Sequence, residues 1–193
     1  MNDDDATIRS PELMNATDTG LLVVDAQEKF LAVVPGAERI VWNIRRLLDA
    51  AKVLGVPQAA TEQYPEKMGR TAPELLKRLD APVAKLTFSG AACGPSLADW
   101  KADARYRVLV CGIETHVCIA QTAFDLVAAG WLVYVPVDAV GTRHAVDHET
   151  ALRRMEAAGV VLTSTEAAMF EWCRVAGSAE FKLISALARE TAP

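Results

Sequence analysis

At 193 residues, half of them apolar, with a net charge of -5 and no run of lysines or arginines, the chain has the size and polarity of one globular domain and lacks the basic footprint of a nucleic-acid binder. No apolar stretch reaches the ~20 residues of a membrane helix. The acidic opening Met1-Asn-Asp-Asp-Asp-Ala-Thr-Ile-Arg-Ser10 is the reverse of a secretory signal, and the cysteines at 93, 111, 118 and 173 share no C-x-x-C spacing, so a reducing, cytoplasmic compartment is expected.

In chain order, residues 1–18 read as a loosely held leader, and residues 19–193 as a single domain. Gly20-Leu-Leu-Val-Val-Asp25 is a short, fully buried strand that ends in a carboxylate. A long helix follows: Ile40, Ile44, Leu47, Leu48, Ala51 and Leu54 fall at helical spacing, while Arg39, Arg45, Arg46, Asp49 and Lys52 occupy largely different faces. Gly55 ends it. The same order of helix, glycine and apolar strand recurs at Gly130 and Gly159, each glycine a natural left-handed cap. Further strands are expected at 57–61, 83–87, 107–111, 131–137 and 160–163, six in all, and a terminal helix at 178–190. Several of these strands are apolar on both faces, which requires helices on both sides. Strands alternating with helices then imply a parallel sheet with right-handed crossovers, a three-layer α/β/α sandwich of Rossmann-like form.

Three residues carry candidate chemistry. Cys118 follows the fourth strand and opens a helix, where unpaired N–H groups and the helix dipole favour a thiolate. Asp25 ends the first strand, and a sheet order that reverses between these two strands would bring both to one crevice, where α/β folds bind ligands. Lys85, inside the apolar run Val83-Ala-Lys-Leu-Thr87, needs an anionic partner if buried. Each has a plainer alternative: a small buried hydrophobe for Cys118, a turn residue for Asp25, an edge-strand guard for Lys85.

Four motifs in order, Val23-Val-Asp-Ala-Gln-Glu-Lys-Phe30, Ala84-Lys-Leu-Thr-Phe-Ser89, Cys111-Gly-Ile-Glu-Thr-His-Val-Cys118 and Val137-Asp-Ala-Val-Gly-Thr-Arg143, make the sequence resemble the isochorismatase-like cysteine hydrolases over roughly residues 18–190. The segment Thr61-Glu-Gln-Tyr-Pro65 is similar to the branch of isochorismatase domain-containing proteins. The resemblance implies a catalytic triad in which Asp25 takes the thiol proton, Lys85 stabilises the charges and Cys118 attacks a carbonyl carbon. It also implies a cis peptide before Glu114 that aims the N–H groups of Glu114 and Cys118 at one oxyanion position. Gln27, Phe30, Tyr64, Phe88 and His116 are expected around the substrate.

Departures from the family bear on metal and substrate. The nicotinamidase branch binds a metal through an Asp-x-His pair after the second strand, where this chain reads Thr61-Glu-Gln-Tyr64, so no metal and no cofactor are expected. His144 and His148 have the spacing of a helical metal pair, but Asp147 and Glu149 read better as the acidic first turn of a helix beginning near His144. True isochorismatases cleave a vinyl ether without a cysteine nucleophile. Cys118 therefore favours hydrolysis of a small amide, carbamoyl or ureido bond, with vinyl-ether cleavage and a catalytically idle scaffold of the same fold as alternatives. The expected partners are a small-molecule substrate and further copies of the chain in a symmetric homo-oligomer.

Overall fold

The computed structural model describes residues 9–193. The strands are β1 (Thr19–Val24), β2 (Gln58–Gln63), β3 (Val83–Lys85), β4 (Arg107–Ile113), β5 (Leu132–Pro136), β6 (Val140–Gly141) and β7 (Val161–Thr163). The helices are α1 (Glu28–Leu31), α2 (Ala37–Leu54), α3 (Pro65–Met68), α4 (Pro73–Leu76), α5 (Gly94–Ala102), α6 (Ala120–Ala128), α7 (Ala145–Ala157), α8 (Thr165–Cys173) and α9 (Phe181–Ala188). Six of the strands match the sequence expectation to within a few residues. The seventh, β6, has two residues, too few for any periodicity to show, and pairs with β4 beyond the end of β5.

All strand pairs are parallel, in the order β3-β2-β1-β4-β5-β7. The chain builds outward from β1 in one direction, then returns to β4 and builds outward in the other. The reversal between β1 and β4 leaves a crevice at their C-terminal ends. Strand side chains alternate between two cores. Leu21, Val23, Leu109, Cys111 and Ile113 pack beneath α2, α8 and α9, while Leu22, Val24, Val108 and Val110 pack against α5, α6 and α7. Burial on both faces explains why these strands read as unbroken apolar runs.

Two local findings differ from the sequence reading. Residues 1–8 of the expected leader lie outside the described residues, but 9–18 are docked. Met14 is fully buried, its N–H donates to Glu171 Oε2 at 2.9 Å, and Arg9 donates to the carbonyls of Met14 and Glu171, both at 2.7 Å. On α2, Arg46 is buried, its guanidinium lying 3.7 Å from the centre of the Trp42 ring and donating to Asn43 Oδ1. Stacking on an aromatic face lets a guanidinium leave water where an ammonium would not.

β1 and β4 approach closely at the reversal. Gly112 sits at φ +124 with its N–H bonded to the carbonyl of Ala139, and a Cβ at this position would fall on the carbonyl oxygen of Val24. Only glycine allows that approach.

Candidate active site

Asp25 leaves β1 in the left-handed region, at φ +52, which aspartate tolerates better than most residues. Its carboxylate is sealed from solvent and held by two donors: Thr61 Oγ1 at 2.8 Å to Oδ1, and Lys85 Nζ at 2.6 Å to Oδ2. Lys85 reaches across β2 to make this contact. Its ammonium also donates to Gln63 Oε1 at 2.7 Å and to the carbonyls of Phe88 at 3.0 Å and Thr87 at 3.1 Å. The register explains the reach, because Val24 pairs with Thr61 and Gln63 pairs with Lys85 across adjacent strands. β3 is an edge strand, yet Lys85 points inward and does not guard the edge. A buried charge with this many partners meets the requirement that desolvated ions be both paired and hydrogen-bonded.

The peptide between Ile113 and Glu114 is cis. Beyond it the first helical turn is wide, with the N–H of Ile119 bonding five residues back to the carbonyl of Glu114. Cys118 lies in this turn, buried, and its carbonyl accepts Thr122 Oγ1 at 2.6 Å. Thr122 Oγ1 in turn accepts the N–H of Gly90, which ties the segment after β3 to the Cys118 helix. The surroundings of the thiol act against the thiolate that a helix terminus by itself would favour. Burial, and then the charge of Asp25 and a hydrogen bond to it, push the Cys118 thiol well above its ordinary value, outweighing Lys85 and the N–H of Glu114.

A cavity of about 290 Å³ opens over the thiol, lined by Phe30, Gln63, Phe88, Ile113, Glu114, Val117, Cys118 and Arg143. Larger depressions lie elsewhere, along α2 and the C-terminus, and contain none of the three residues with candidate chemistry. Of the side chains expected around the substrate, Phe30 and Phe88 line the cavity and three others do not. Gln27 is fully buried and spent on backbone: its Nε2 donates to the carbonyls of Gln63 and Gly69, and its Oε1 accepts the N–H of Gln63. Tyr64 is an exposed cap of the short α3. His116 sits behind the site, its Nδ1 2.9 Å from Thr142 Oγ1.

Sequence reasoning missed Gln63 and Arg143, and it assigned Glu114 only its N–H. The period-two pattern of β2 held the signal for Gln63, since it places Thr61 and Gln63 on one face and Glu62 on the other. Glu114 Oε2 accepts three bonds: Thr142 Oγ1 at 2.7 Å, the N–H of Arg143 at 3.1 Å and Arg143 Nε at 3.1 Å. Burial alone would raise its pKa, but these donors and the Arg143 charge together hold it below the usual carboxylate range.

Glu62 is buried, its Oε1 accepting Thr71 N–H at 2.7 Å and Thr71 Oγ1 at 2.9 Å, with Arg70 Nε at 3.3 Å. His144 precedes the first residue of α7, and His148 Nδ1 is 3.0 Å from Thr115 Oγ1. Among the described residues no three His, Cys, Asp or Glu side chains converge as a metal-binding group.

Comparison with known proteins places this architecture. The isochorismatase domain model matches residues 19–167. Isochorismatase domain-containing protein 2A of Mus musculus is 39% identical over 173 residues, covering 90% of this chain and 84% of that protein. Among solved structures, one described as the MAR1 ribonuclease of Caenorhabditis elegans superposes with a TM-score of 0.86 at 38% identity, covering 94% of each chain. The YcaC gene product of Escherichia coli, described as an octameric hydrolase of unknown specificity, superposes with a TM-score of 0.82 at 25% identity, covering 93% of this chain and 92% of its own. With the domain matched across most of its length and a 39% identical relative alongside, the chain belongs to the isochorismatase family of hydrolase-like α/β proteins.

Proposed function

We propose that this protein is a cysteine-dependent hydrolase of a small amide, carbamoyl or ureido carbon–nitrogen bond, acting through a covalent acyl intermediate on Cys118. The observation that carries the reading is the sealed Lys85–Asp25 pair, 2.6 Å apart, set against a buried thiol at the floor of a cavity. As Sγ attacks the substrate carbonyl carbon, the thiol proton passes to Asp25 and an S–C bond forms. The carbonyl π electrons move to oxygen, where the N–H groups of Glu114 and Cys118 receive the developing charge. Asp25 then gives its proton to the departing nitrogen as the C–N bond breaks, leaving a thioester and a free amine. Water attacks the thioester and passes a proton to Asp25, and the acid product leaves as Cys118 regains a proton. Lys85 stays protonated throughout and offsets the charge shared between Asp25 and sulfur.

The substrate in this reading is a small molecule, and no cofactor enters. The C. elegans relative is described as a ribonuclease, but a 290 Å³ cavity and a net charge of -5 support a small uncharged ligand over a polyanion. The octameric relative supports a homo-oligomer. Four free cysteines support the cytoplasm, and no helix among the described residues is long and apolar enough to cross a membrane.

A panel of small primary amides, carbamates and ureido compounds, read by intact mass, tests the reading. An acyl adduct should form on the native protein with at least one of them and be absent from Cys118→Ala, together with turnover. Turnover retained by Cys118→Ala would remove covalent catalysis.

A further inference from the structure

One carboxylate and one cation line the cavity, Glu114 and Arg143, and they are matched to each other. Asp25 and Lys85 are paired with each other and are not among its lining residues. At its rim Arg143, half-exposed, directs Nε to Glu114 Oε2 at 3.1 Å, and both residues line the cavity. A free arginine at the mouth of an amide-hydrolysing site would be a natural anchor for a substrate carboxylate, because its fork matches that group. Here the Arg143 charge is already met by Glu114. The other walls are Phe30, Phe88, Ile113 and Val117, with Gln63 the neutral polar group among them. A substrate carboxylate would lose water against aromatic and aliphatic walls, meet the Glu114 charge, and find no uncompensated cation.

The rim is also held in place from behind. Glu114 is ionised and only accepts, so the single hydroxyl proton of Thr142 goes to Glu114 Oε2. Thr142 Oγ1 must then accept from His116 Nδ1, 2.9 Å away, which makes His116 a positioning residue for the rim.

We propose, building on the hydrolase reading above, that the Glu114–Arg143 pair selects uncharged substrates against carboxylate-bearing ones, with Glu114 the specificity-determining residue. Removing the Glu114 charge would release Arg143 and open the cavity to anions.

The test needs no knowledge of the natural substrate. Iodoacetamide and iodoacetate differ by a carboxamide for a carboxylate, and both alkylate a thiol by displacing iodide. Their rates at Cys118 are measured by intact mass at one pH and ionic strength, with Cys118→Ala identifying the adduct. Each rate is divided by that of the same reagent with 2-mercaptoethanol. A substitution that alters thiol ionisation multiplies both rates equally and cancels in their ratio. One unit charge at ~6 Å and an effective dielectric near 20 corresponds to about a hundredfold, which solvent screening at the exposed rim cuts to about tenfold for the deletion of one charge of the pair. The normalised amide-to-acid ratio should exceed unity in the native protein, where the carboxylate meets apolar walls and no free cation, fall about tenfold in Glu114→Gln and rise about tenfold in Arg143→Gln. A native ratio near unity, a ratio unchanged in Glu114→Gln, or one that falls in Arg143→Gln overturns the proposal. Should Glu114→Gln fail to fold, Arg143→Gln decides alone: a rise supports the proposal, and no change or a fall overturns it. Failure of the hydrolase reading shows separately, as turnover kept by Cys118→Ala.

Discussion

Lys85 Nζ and Asp25 Oδ2 lie 2.6 Å apart with both side chains sealed from solvent, joining the edge strand of the sheet to its centre across an intervening strand. Removing one partner of such a pair leaves the other charge buried and alone, which costs roughly 3–5 kcal/mol. Lys85→Met should therefore lose about that much stability in urea denaturation and also lose hydrolysis. Combined with Asp25→Asn it should recover much of the stability and none of the activity. A Lys85→Met protein within 0.5 kcal/mol of the native one on the scale of ordinary surface changes would mean that the pair is not sealed in solution.

Buried thiols make stability fall in alkali. Burial, and then Asp25, raise the Cys93 thiol to about 11, and burial raises Cys111 and Cys118 further still. The unfolded chain releases these protons near pH 8.5, and the folded chain keeps them. Their contribution is thus fully present below about pH 8.5 and is lost as pH rises toward the folded values, by at most about 1.4 kcal/mol per pH unit for each thiol. Urea midpoints should decline between pH 8.5 and 11, and Cys93→Ala should decline less steeply. A flat native profile across that range would contradict the burial of these groups.

The same shift predicts how Cys118 reacts. Its alkylation by iodoacetamide should climb with pH through pH 9 with no plateau near neutrality, because burial and Asp25 raise the thiol above its ordinary value. A plateau below pH 7 would restore the low-pKa thiolate expected from the helix terminus alone.

At Gly112 β4 lies close against β1, and any Cβ there meets the Val24 carbonyl. Gly112→Ala should destabilise by more than about 3 kcal/mol or abolish soluble expression, since strain at φ +124 and a backbone clash act together. Normal thermal unfolding of Gly112→Ala would show that the two strands separate easily at the crevice.

Met14 tests whether residues 9–18 are part of the folded body. It is fully buried in the core beneath α2, so Met14→Ala should cost about 2–4 kcal/mol in urea denaturation. A cost under 0.5 kcal/mol would return this segment to the loose leader that its polarity implies.

Much of the architecture was legible in the sequence, because apolar runs bounded by glycine, alternating with amphipathic helices, have few ways to bury themselves other than a helix-covered parallel sheet. Leu21 to Val24 and Val108 to Cys111 announce their own burial on both faces. The positions of Asp25 and Cys118 were legible for the same reason: strand ends in such a sheet are where side chains leave the core. β6 was not, since two residues have no period, and neither was the docking of 9–18, which rests on long-range partners such as Glu171.

By itself, then, the sequence determined the layers of the fold and the residue types that meet at its crevice, because local periodicity and motif order are properties of the chain. Tertiary structure decided the charges. Whether Lys85 guards an edge or grips Asp25 depends on which way an edge strand faces. The state of the Cys118 thiol depends on how burial and Asp25 compare with Lys85, and that Arg143 meets Glu114 depends on two segments 29 residues apart closing over one cavity. Electrostatic energies follow from distance and burial, and neither is written in the order of residues.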